Sequence, residues 1–306
     1  MSLPPIETAI RSVLSRSDGS APWHLLGRLV EGGQRIRPRL VVAVSGALGI
    51  EVESSLCRDA AAMELVHLST LIHDDIVDGG QTRRGVPTLS AAHGPEIALL
   101  LGNLVKDHAL AIATPAALPA LNQASLDVYL GQLRETMARG ASLRFDQLFE
   151  IQLYKTARAF RHCARVASVH GHLPAGEGAE VALELAALAF QAVDDWLDLA
   201  PAHEQTLKDG SRDEANLVPC FVQVAGVDVA AATEPAVVEA ARAVAALGWT
   251  SPLATLGPAG ARVEVLRFVR ELASRAASCA TGSGVEPVID DLFERVATRA
   301  VAVNLP

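Results

Sequence analysis

The amino-acid sequence predicts an all-α protein with a single domain over residues 1–306. Apolar residues recur at helical spacing through long stretches, and alternating strand-like runs beside tight-turn dipeptides are absent from the sequence. Alanine, the best helix former, is abundant, whereas aromatic residues make up only 4% of the chain. With 50% hydrophobic residues, the chain can bury a sizeable core.

Three long segments follow the helical period most clearly. Residues 54–78 show this apolar period for several turns, after a predicted N-cap at Ser54 or Ser55. Residues 118–140 stop at a glycine, and residues 176–200 end before Pro201. Further helices are expected over residues 6–15, 39–48, 96–112, 142–170, 231–247, 262–280 and 286–303.

Composition narrows the functional classes. A formal net charge of −9 argues against a nucleic-acid-binding surface, which needs clustered Lys and Arg. The four cysteines lie far apart without a CxxC pair, as expected of a reduced, cytoplasmic protein. No apolar run of about 18 residues free of charge or proline occurs, so we expect no stable membrane span. The start MSLPPIETAI lacks a basic region followed by an apolar one, so we expect no signal peptide.

Two acidic motifs interrupt otherwise apolar helical segments. Both have the spacing D-D-x-x-D: Asp74, Asp75 and Asp78 in LIHDDIVDGG, and Asp194, Asp195 and Asp198 in AFQAVDDWLDLA. Aspartates four residues apart share a helix face, where like charges repel, and burying a carboxylate costs far more than this repulsion. Mg²⁺ would neutralise them, because it prefers carboxylate, water and phosphate oxygens. The two motifs therefore predict a magnesium cluster that holds a diphosphate.

Cationic residues accompany the motifs. Arg83 and Arg84 follow the first motif closely, and Lys208 follows the second. Further cations stand in GGQRIRPRL, which contains Arg37, and in LYKTARAF, which contains Lys155. Arginine binds phosphate oxygens as a fork, and lysine binds them as a point charge. Together with the acids, these residues describe a site for one or two diphosphates.

The ordered set of motifs resembles that of a known family. GGQRIRP, ELVH, LIHDDIVDGGQTRRGVPT, GQ at Gly131 and Gln132, KT and FQAVDDWLD occur in the order found in the trans-isoprenyl diphosphate synthases, the polyprenyl synthetase family. The resemblance covers nearly the whole chain. It implies an antiparallel helix bundle around a deep central cavity, the isoprenoid synthase fold, usually as a homodimer. It also implies three Mg²⁺ ions with bound diphosphate.

The same resemblance implies a reaction and its substrates. An allylic diphosphate would ionise, the double bond of isopentenyl diphosphate would attack the carbocation, and loss of a proton would leave a linear all-trans polyprenyl diphosphate. Metal and cationic side chains would stabilise the charge on the leaving diphosphate. Apolar helices would keep water from the carbocation.

Individual residues receive roles from this resemblance. The metal ligands, direct or through water, would be Asp74, Asp75, Asp78, Asp194, Asp195 and Asp198. The allylic diphosphate would be gripped by Arg83, Lys155 and Lys208, beside Thr156 and Gln191. Isopentenyl diphosphate would be held by Arg37, His67 and Arg84, with Gln34 beside them.

Gln34 departs from the family, which normally has lysine at this position. The lost charge should weaken acceptor binding, since a hydrogen bond to a charged group is worth about 1.5–3 kcal/mol. A terpene cyclase on the same fold, or a prenyltransferase with another acceptor, therefore stays open, although cyclases usually have an Asn/Ser/Glu motif in place of the second DDxxD. A non-catalytic subunit of a heteromeric synthase is a further alternative, but it would be expected to lose acids, and none is lost here.

The expected product is long. Ser69 and Thr70 lie one turn before the first motif, where the family places part of the cavity floor. An aromatic residue there halts elongation early, whereas both residues here are small. We therefore expect geranylgeranyl diphosphate or a longer product.

Overall fold

The computed structural model describes residues 3–14, 26, 33–83, 85–171, 174, 176–197, 229–249 and 252–302. In this part of the chain the α-helices are α1 (Pro4–Leu14), α2 (Ile36–Ala47), α3 (Ser54–Val77), α4 (Leu89–His93), α5 (Pro95–Ile112), α6 (Leu118–Met137), α7 (Phe145–Gln152), α8 (Arg158–Ser168), α9 (Glu177–Leu197), α10 (Pro235–Leu247), α11 (Gly257–Ala280) and α12 (Glu286–Val301). Short 3₁₀ helices cover Val229–Ala231 and Leu253–Leu256. None of the helices in these ranges has the length and apolar composition that a bilayer crossing needs.

The predicted helix over residues 142–170 is interrupted. After α7, a π-helical turn covers Leu153–Ala157, and α8 begins at Arg158. We call Leu153–Ala157 the π segment. Such turns are rare and occur frequently at functional sites. The interruption is notable because two predicted site residues, Lys155 and Thr156, lie within the segment.

A small hairpin follows α3 and was not predicted. Strands β1 (Thr82–Arg83) and β2 (Val86–Pro87) pair antiparallel, with Thr82 opposite Pro87 and Arg83 opposite Val86. Gly85 has φ of 77° in the turn, a left-handed conformation that glycine adopts without strain.

The described chain groups into two compact units. The first unit comprises residues 1–126 and 162–174, and the second comprises residues 127–161 and 175–306. The single domain over residues 1–306 therefore stays a prediction. All seven phenylalanines and both tyrosines belong to the sequence of the second unit.

Helix α3 forms the centre of the first unit, where it packs against α1, α2 and α5. Its middle turns are buried on every side, among them Ala60, Met63 and Leu65. The carboxylate of Asp59 is also fully buried, and it accepts hydrogen bonds from the Thr114 amide (2.7 Å), the Thr114 hydroxyl (2.6 Å) and His170 Nε2 (2.8 Å). These bonds offset the cost of removing the carboxylate from water, and they fix the start of α3.

Helix α9 forms the centre of the second unit, with α11, α12 and the π segment around it. Its residues 181–189 are buried on all faces, and Trp196 is completely buried near its end. Beside it, the rings of Phe145, Phe149, Trp249 and Phe268 form a cluster with centroids 5.5–6.2 Å apart. Aromatic pairs at this spacing stabilise a core beyond the area they bury. The end of α9, which carries the second acidic motif, is therefore held in a closely packed core.

Candidate active site

The first acidic cluster lies at the carboxyl end of α3. Asp74 and Asp75 occupy its last turn, and Asp78 is the residue at which the helix ends. A helix carries partial negative charge at this end, so three carboxylates here are unfavourable unless a cation joins them. The cluster is therefore an electrostatic arrangement suited to binding cations rather than to stabilising the helix.

Arg83 supplies one cation to this cluster. The β1–β2 hairpin folds back so that Arg83 donates to both oxygens of Asp75 at 2.8–3.1 Å, and its Nη2 lies 3.6 Å from Asp74 Oδ2. Burial lowers the pKa of Arg83, but the hydrogen bonds of Asp75 and the charges of Asp75, Asp74 and Asp78 outweigh burial and raise it. Arg83 is therefore a fixed positive charge in the cluster. At Gly80 an added Cβ would lie 2.9 Å from Asp75 Oδ1, so glycine leaves room for that carboxylate.

Gln34, one of the predicted acceptor residues, lies in the segment before α2. The exposed Gln34 accepts a hydrogen bond at its main-chain carbonyl from Arg39 Nε (3.1 Å). Arg35 has a left-handed φ of 52°, and its guanidinium is 2.8 Å from Glu7 and 3.5 Å from Glu64. These ion pairs hold a conformation that costs a non-glycine residue about 1–2 kcal/mol.

Arg37 is partly exposed and lies near Glu64 and Cys163. Burial lowers the pKa of Arg37, while the Glu64 carboxylate opposes part of this shift. Burial also raises the pKa of the Cys163 thiol to about 12, so Cys163 stays uncharged. Arg37 keeps its positive charge, because a guanidinium group stays protonated in proteins.

The remaining predicted residues of the first unit lie on α3. His67 is partly exposed, and it precedes Asp74 by seven residues, which places both on one face of the helix. Ser69 and Thr70 are buried, and the Thr70 hydroxyl donates to the His67 carbonyl at 2.8 Å.

The second acidic cluster lies at the end of α9. Asp195 is buried and accepts a hydrogen bond from Gln191 Nε2 at 2.7 Å. Gln191 Oε1 in turn accepts from the Thr156 hydroxyl of the π segment at 3.2 Å. Asp194 pairs with Arg299 of α12, whose guanidinium also lies 4.6 Å above the Phe190 ring. The structure thus brings together four residues that the sequence selected: Thr156, Gln191, Asp194 and Asp195.

Lys155 lies in the same π segment. Its Nζ is 2.5 Å from Oε2 of Glu135, a carboxylate that is 3% exposed. Lys155 itself is only partly buried, so a buried acid fixes the ammonium group of a side chain that keeps some exposure to solvent.

A small, tight cleft lies beside Asp195. Its polar residues are Gln152, Gln191 and Asp195. Its apolar residues come from α7 and α9: Leu148, Phe149, Leu188 and Ala192. The second acidic cluster therefore borders an apolar surface.

Comparison with known proteins decides the family. A family model described as polyprenyl synthetase matches residues 24–243. The chain belongs to the polyprenyl synthetase family. The chain is 32% identical over 239 residues to geranylgeranyl diphosphate synthase of Cereibacter sphaeroides, an alignment that covers 74% of the chain and 83% of that relative.

Solved structures share the fold. A decaprenyl diphosphate synthase from Rhodobacter capsulatus superposes with a TM-score of 0.75 at 21% identity, covering 97% of this chain and 96% of that one. A polyprenyl synthase from Caulobacter crescentus, complexed with calcium and isoprenyl diphosphate, gives 0.70 at 24% identity, covering 99% and 98%. The predicted all-α isoprenoid synthase fold is confirmed.

The donor set of this polyprenyl synthetase fits a hard divalent cation. Each acidic cluster offers carboxylate oxygens, and Mg²⁺ takes one or two carboxylates together with waters and phosphate oxygens. Among the described residues, no group of three or more His, Cys, Asp and Glu converges closely enough to hold a metal alone. Three predicted residues, Arg84, Asp198 and Lys208, lie outside the described residues.

Two charged residues that pair with predicted site residues were not predicted from the sequence. Glu135 binds Lys155 from 20 residues away, and Arg299 binds Asp194 from the last helix. Glu135 carried a weak signal, because it follows the family's GQ pair at Gly131 and Gln132 by three residues. Arg299 carried none, since its pairing depends on how α12 packs against α9.

Proposed function

We propose that this polyprenyl synthetase is a trans-prenyltransferase that joins an allylic diphosphate to isopentenyl diphosphate, forming a linear all-trans polyprenyl diphosphate. The observation that carries the proposal is the first acidic cluster, with three aspartates at the negative end of α3 and Arg83 bound among them. Membership in the family and similarity to a geranylgeranyl diphosphate synthase support it.

The residues proposed to bind Mg²⁺ are Asp74, Asp75, Asp78, Asp194, Asp195 and Asp198, with three ions per bound diphosphate. When bound, magnesium supplies positive charge that stabilises the negative charge developing on the leaving diphosphate. Support comes from the donor chemistry of the two clusters and from the Caulobacter crescentus structure, which is complexed with calcium and isoprenyl diphosphate.

The cations proposed to bind the allylic diphosphate are Arg83, Lys155 and Lys208. Arg83 and Lys155 each already hold a carboxylate, so their side chains are ordered before substrate arrives. Ordering in advance lowers the entropy cost of binding. Thr156 and Gln191 are proposed to line this site.

The residues proposed to hold isopentenyl diphosphate are Gln34, Arg37, His67 and Arg84. Gln34 is exposed and Arg37 keeps its charge, which leaves the acceptor site with hydrogen-bond donors despite the missing lysine.

The proposed product has 20 carbons or more. Helix α3 carries the small residues Ser69 and Thr70, and it packs against α1, α2 and α5. The sequence of the first unit contains no phenylalanine or tyrosine, and its single tryptophan, Trp23, lies outside the described residues. None of these helices can therefore supply the aromatic side chain that would end elongation early.

We propose a homodimer, in which apolar stripes on two helices meet a second copy. Ile97, Leu100 and Leu104 of α5 are 40–63% exposed, and the α6 residues Leu130, Leu133 and Met137 are 44–78% exposed. Each set has the spacing i, i+3, i+7, so it forms a stripe on its own helix. Such exposed apolar stripes mark interaction surfaces.

Light scattering of the purified protein tests the dimer. Wild type should elute as a dimer, and Leu133→Glu should shift it to monomer, whereas Val263→Glu on α11, an equally exposed site, should not. A monomeric wild type would contradict the proposal. We also propose a cytoplasmic location, which the free thiols of Cys57, Cys163 and Cys279 support.

A product assay tests the reaction. Purified protein with Mg²⁺ would receive dimethylallyl, geranyl or farnesyl diphosphate, each with and without isopentenyl diphosphate, followed by mass spectrometry before and after phosphatase treatment. We expect diphosphates of 20 carbons or more only when isopentenyl diphosphate is present. Hydrocarbons or alcohols formed without it would favour the cyclase, and no turnover at all would favour a non-catalytic subunit.

A further inference from the structure

Each polar side chain of the π segment is held by a partner within the second unit. Tyr154 donates its hydroxyl to Glu234 at 3.0 Å, and its ring lies between the guanidinium groups of Arg134 and Arg158. Lys155 binds Glu135, and Thr156 binds Gln191. The π segment is thus a fixed element, although π-helical turns are intrinsically rare.

The Glu135 carboxylate is the most buried of the acids that bind the π segment, with its side chain 3% exposed. Burying a carboxylate costs free energy that pairing with an ammonium group offsets only in part. Stability alone therefore gives weak reason for an acid at this position of α6. A functional role explains the pair better, because Glu135 determines where the Lys155 ammonium group lies.

Gly131 brings α6 against the backbone of the same lysine. A Cβ at Gly131 would lie 2.2 Å from the Lys155 amide nitrogen and 2.5 Å from its Cα. Gly131 and Glu135 are four residues apart, so they share one face of α6. This face therefore contacts Lys155 both at its backbone and at its ammonium group.

We propose that Glu135 is a positioning residue for Lys155. A lysine side chain is long and flexible, and its ammonium group has three N–H donors. The bond to Glu135 fixes the direction of the Lys155 side chain, and the ammonium group would meet the diphosphate oxygens from that fixed position. The inference rests on the proposed role of Lys155 in binding the allylic diphosphate, and it adds Glu135 to the residues on which that binding depends.

Calorimetric binding of inorganic diphosphate in the presence of Mg²⁺ tests the inference without turnover. Glu135→Gln should weaken this binding about tenfold or more, because a charged hydrogen bond that orders Lys155 is lost. Glu135→Asp should recover part of it. Asp291→Asn removes a carboxylate from an exposed ion pair on α12 and should bind as wild type does.

A double-mutant cycle separates positioning from a general structural role. Lys155→Ala and Lys155→Ala/Glu135→Gln should bind diphosphate equally, because Glu135 acts only through Lys155. In steady-state assays, Glu135→Gln should raise KM for the allylic diphosphate more than KM for isopentenyl diphosphate. If Glu135→Gln does not fold, Glu135→Asp serves instead, since its shorter carboxylate should give the same split between the two KM values.

Three results would overturn the inference. The first is unchanged diphosphate binding in Glu135→Gln, and the second is a full additional loss of binding in the double variant. The third is an apparent kcat that falls in proportion to the folded fraction while both KM values stay unchanged. Failure of the proposed function gives a different result: wild type would form no prenyl diphosphate, while its binding of magnesium and diphosphate would still depend on Glu135.

Discussion

Gly131→Ala is the substitution whose effect the structure specifies most closely. The added Cβ would lie 2.2 Å and 2.5 Å from two backbone atoms of Lys155, whereas ordinary contacts begin near 3.4 Å. Backbone atoms cannot rotate away as a side chain can. Helix α6 or the π segment must therefore move by roughly 1 Å, at a cost of about 1–3 kcal/mol in the free energy of unfolding.

The same movement displaces Lys155 and Thr156 from their partners, and a misplacement of about 1 Å can cost about 100-fold in rate. We expect kcat/KM for the allylic diphosphate to fall about 100-fold. The free energy of unfolding, measured by urea titration, should fall by about 1–3 kcal/mol. Gly46→Ala is the matched control, because Gly46 lies in α2 with no atom within 4 Å of an added Cβ. It should be neutral or stabilise by up to about 1 kcal/mol. If Gly131→Ala behaves like Gly46→Ala in both measurements, the predicted clash with the Lys155 backbone does not occur.

Three further predictions concern other charged groups. Burial raises the pKa of Glu184 to about 7, although the charges of Arg161 and Arg158 oppose the shift. The folded state therefore holds the Glu184 proton more tightly than the unfolded state does. As a result, the free energy of unfolding should fall by about 3 kcal/mol between pH 4.5 and pH 7. In urea titrations at pH 5 and pH 7.5, Glu184→Gln should remove that difference, and parallel behaviour of both proteins would contradict the shift. Arg299→Gln frees Asp194 from its ion pair, so the Mg²⁺ concentration for half-maximal activity should fall about two- to fivefold. Arg295→Gln on the same helix is its control, and equal effects of the two changes would disprove competition with the metal. Arg83→Lys loses the fork that binds Asp75, so KM for the allylic diphosphate should rise about tenfold or more in steady-state assays, and an unchanged KM would remove Arg83 from that site.

The sequence predicted the long helices because their apolar period reflects burial. Helices α3, α5, α6 and α9 lie within a few residues of the predicted ranges, since a buried face imposes regular spacing on the residues that form it. The cap predicted at Ser54 or Ser55 is wrong, because α3 begins at Ser54 and Glu53 occupies the capping position. Local propensity does not fix the exact turn at which a helix starts.

The π segment and the hairpin could not be predicted for related reasons. A π-helical turn adds one residue to a helix without changing its apolar composition, so residues 142–170 read as one continuous helix. Strands of two residues, such as Thr82–Arg83, are too short to show alternation. Both elements are defined by tertiary contacts, and both carry cations of the proposed site.

The acidic clusters were predictable because their spacing is local, whereas their partners were not. Asp74, Asp75 and Asp78 lie within five positions, and helix geometry alone brings them together. The pairs formed by Glu135 with Lys155 and by Arg299 with Asp194 span 20 and 105 residues, so they depend on the packing of separate helices.

Incorporation of isotope-labelled isopentenyl diphosphate into a longer prenyl diphosphate tests the central claim most directly. Wild type with Mg²⁺ and farnesyl diphosphate should convert the label into diphosphates of 20 carbons or more, and Asp74→Asn and Asp194→Asn should each reduce the rate by at least about 100-fold. Label that stays in isopentenyl diphosphate while the allylic substrate is consumed would contradict the assigned acceptor. Variants that incorporate label as fast as wild type would contradict the assigned metal ligands.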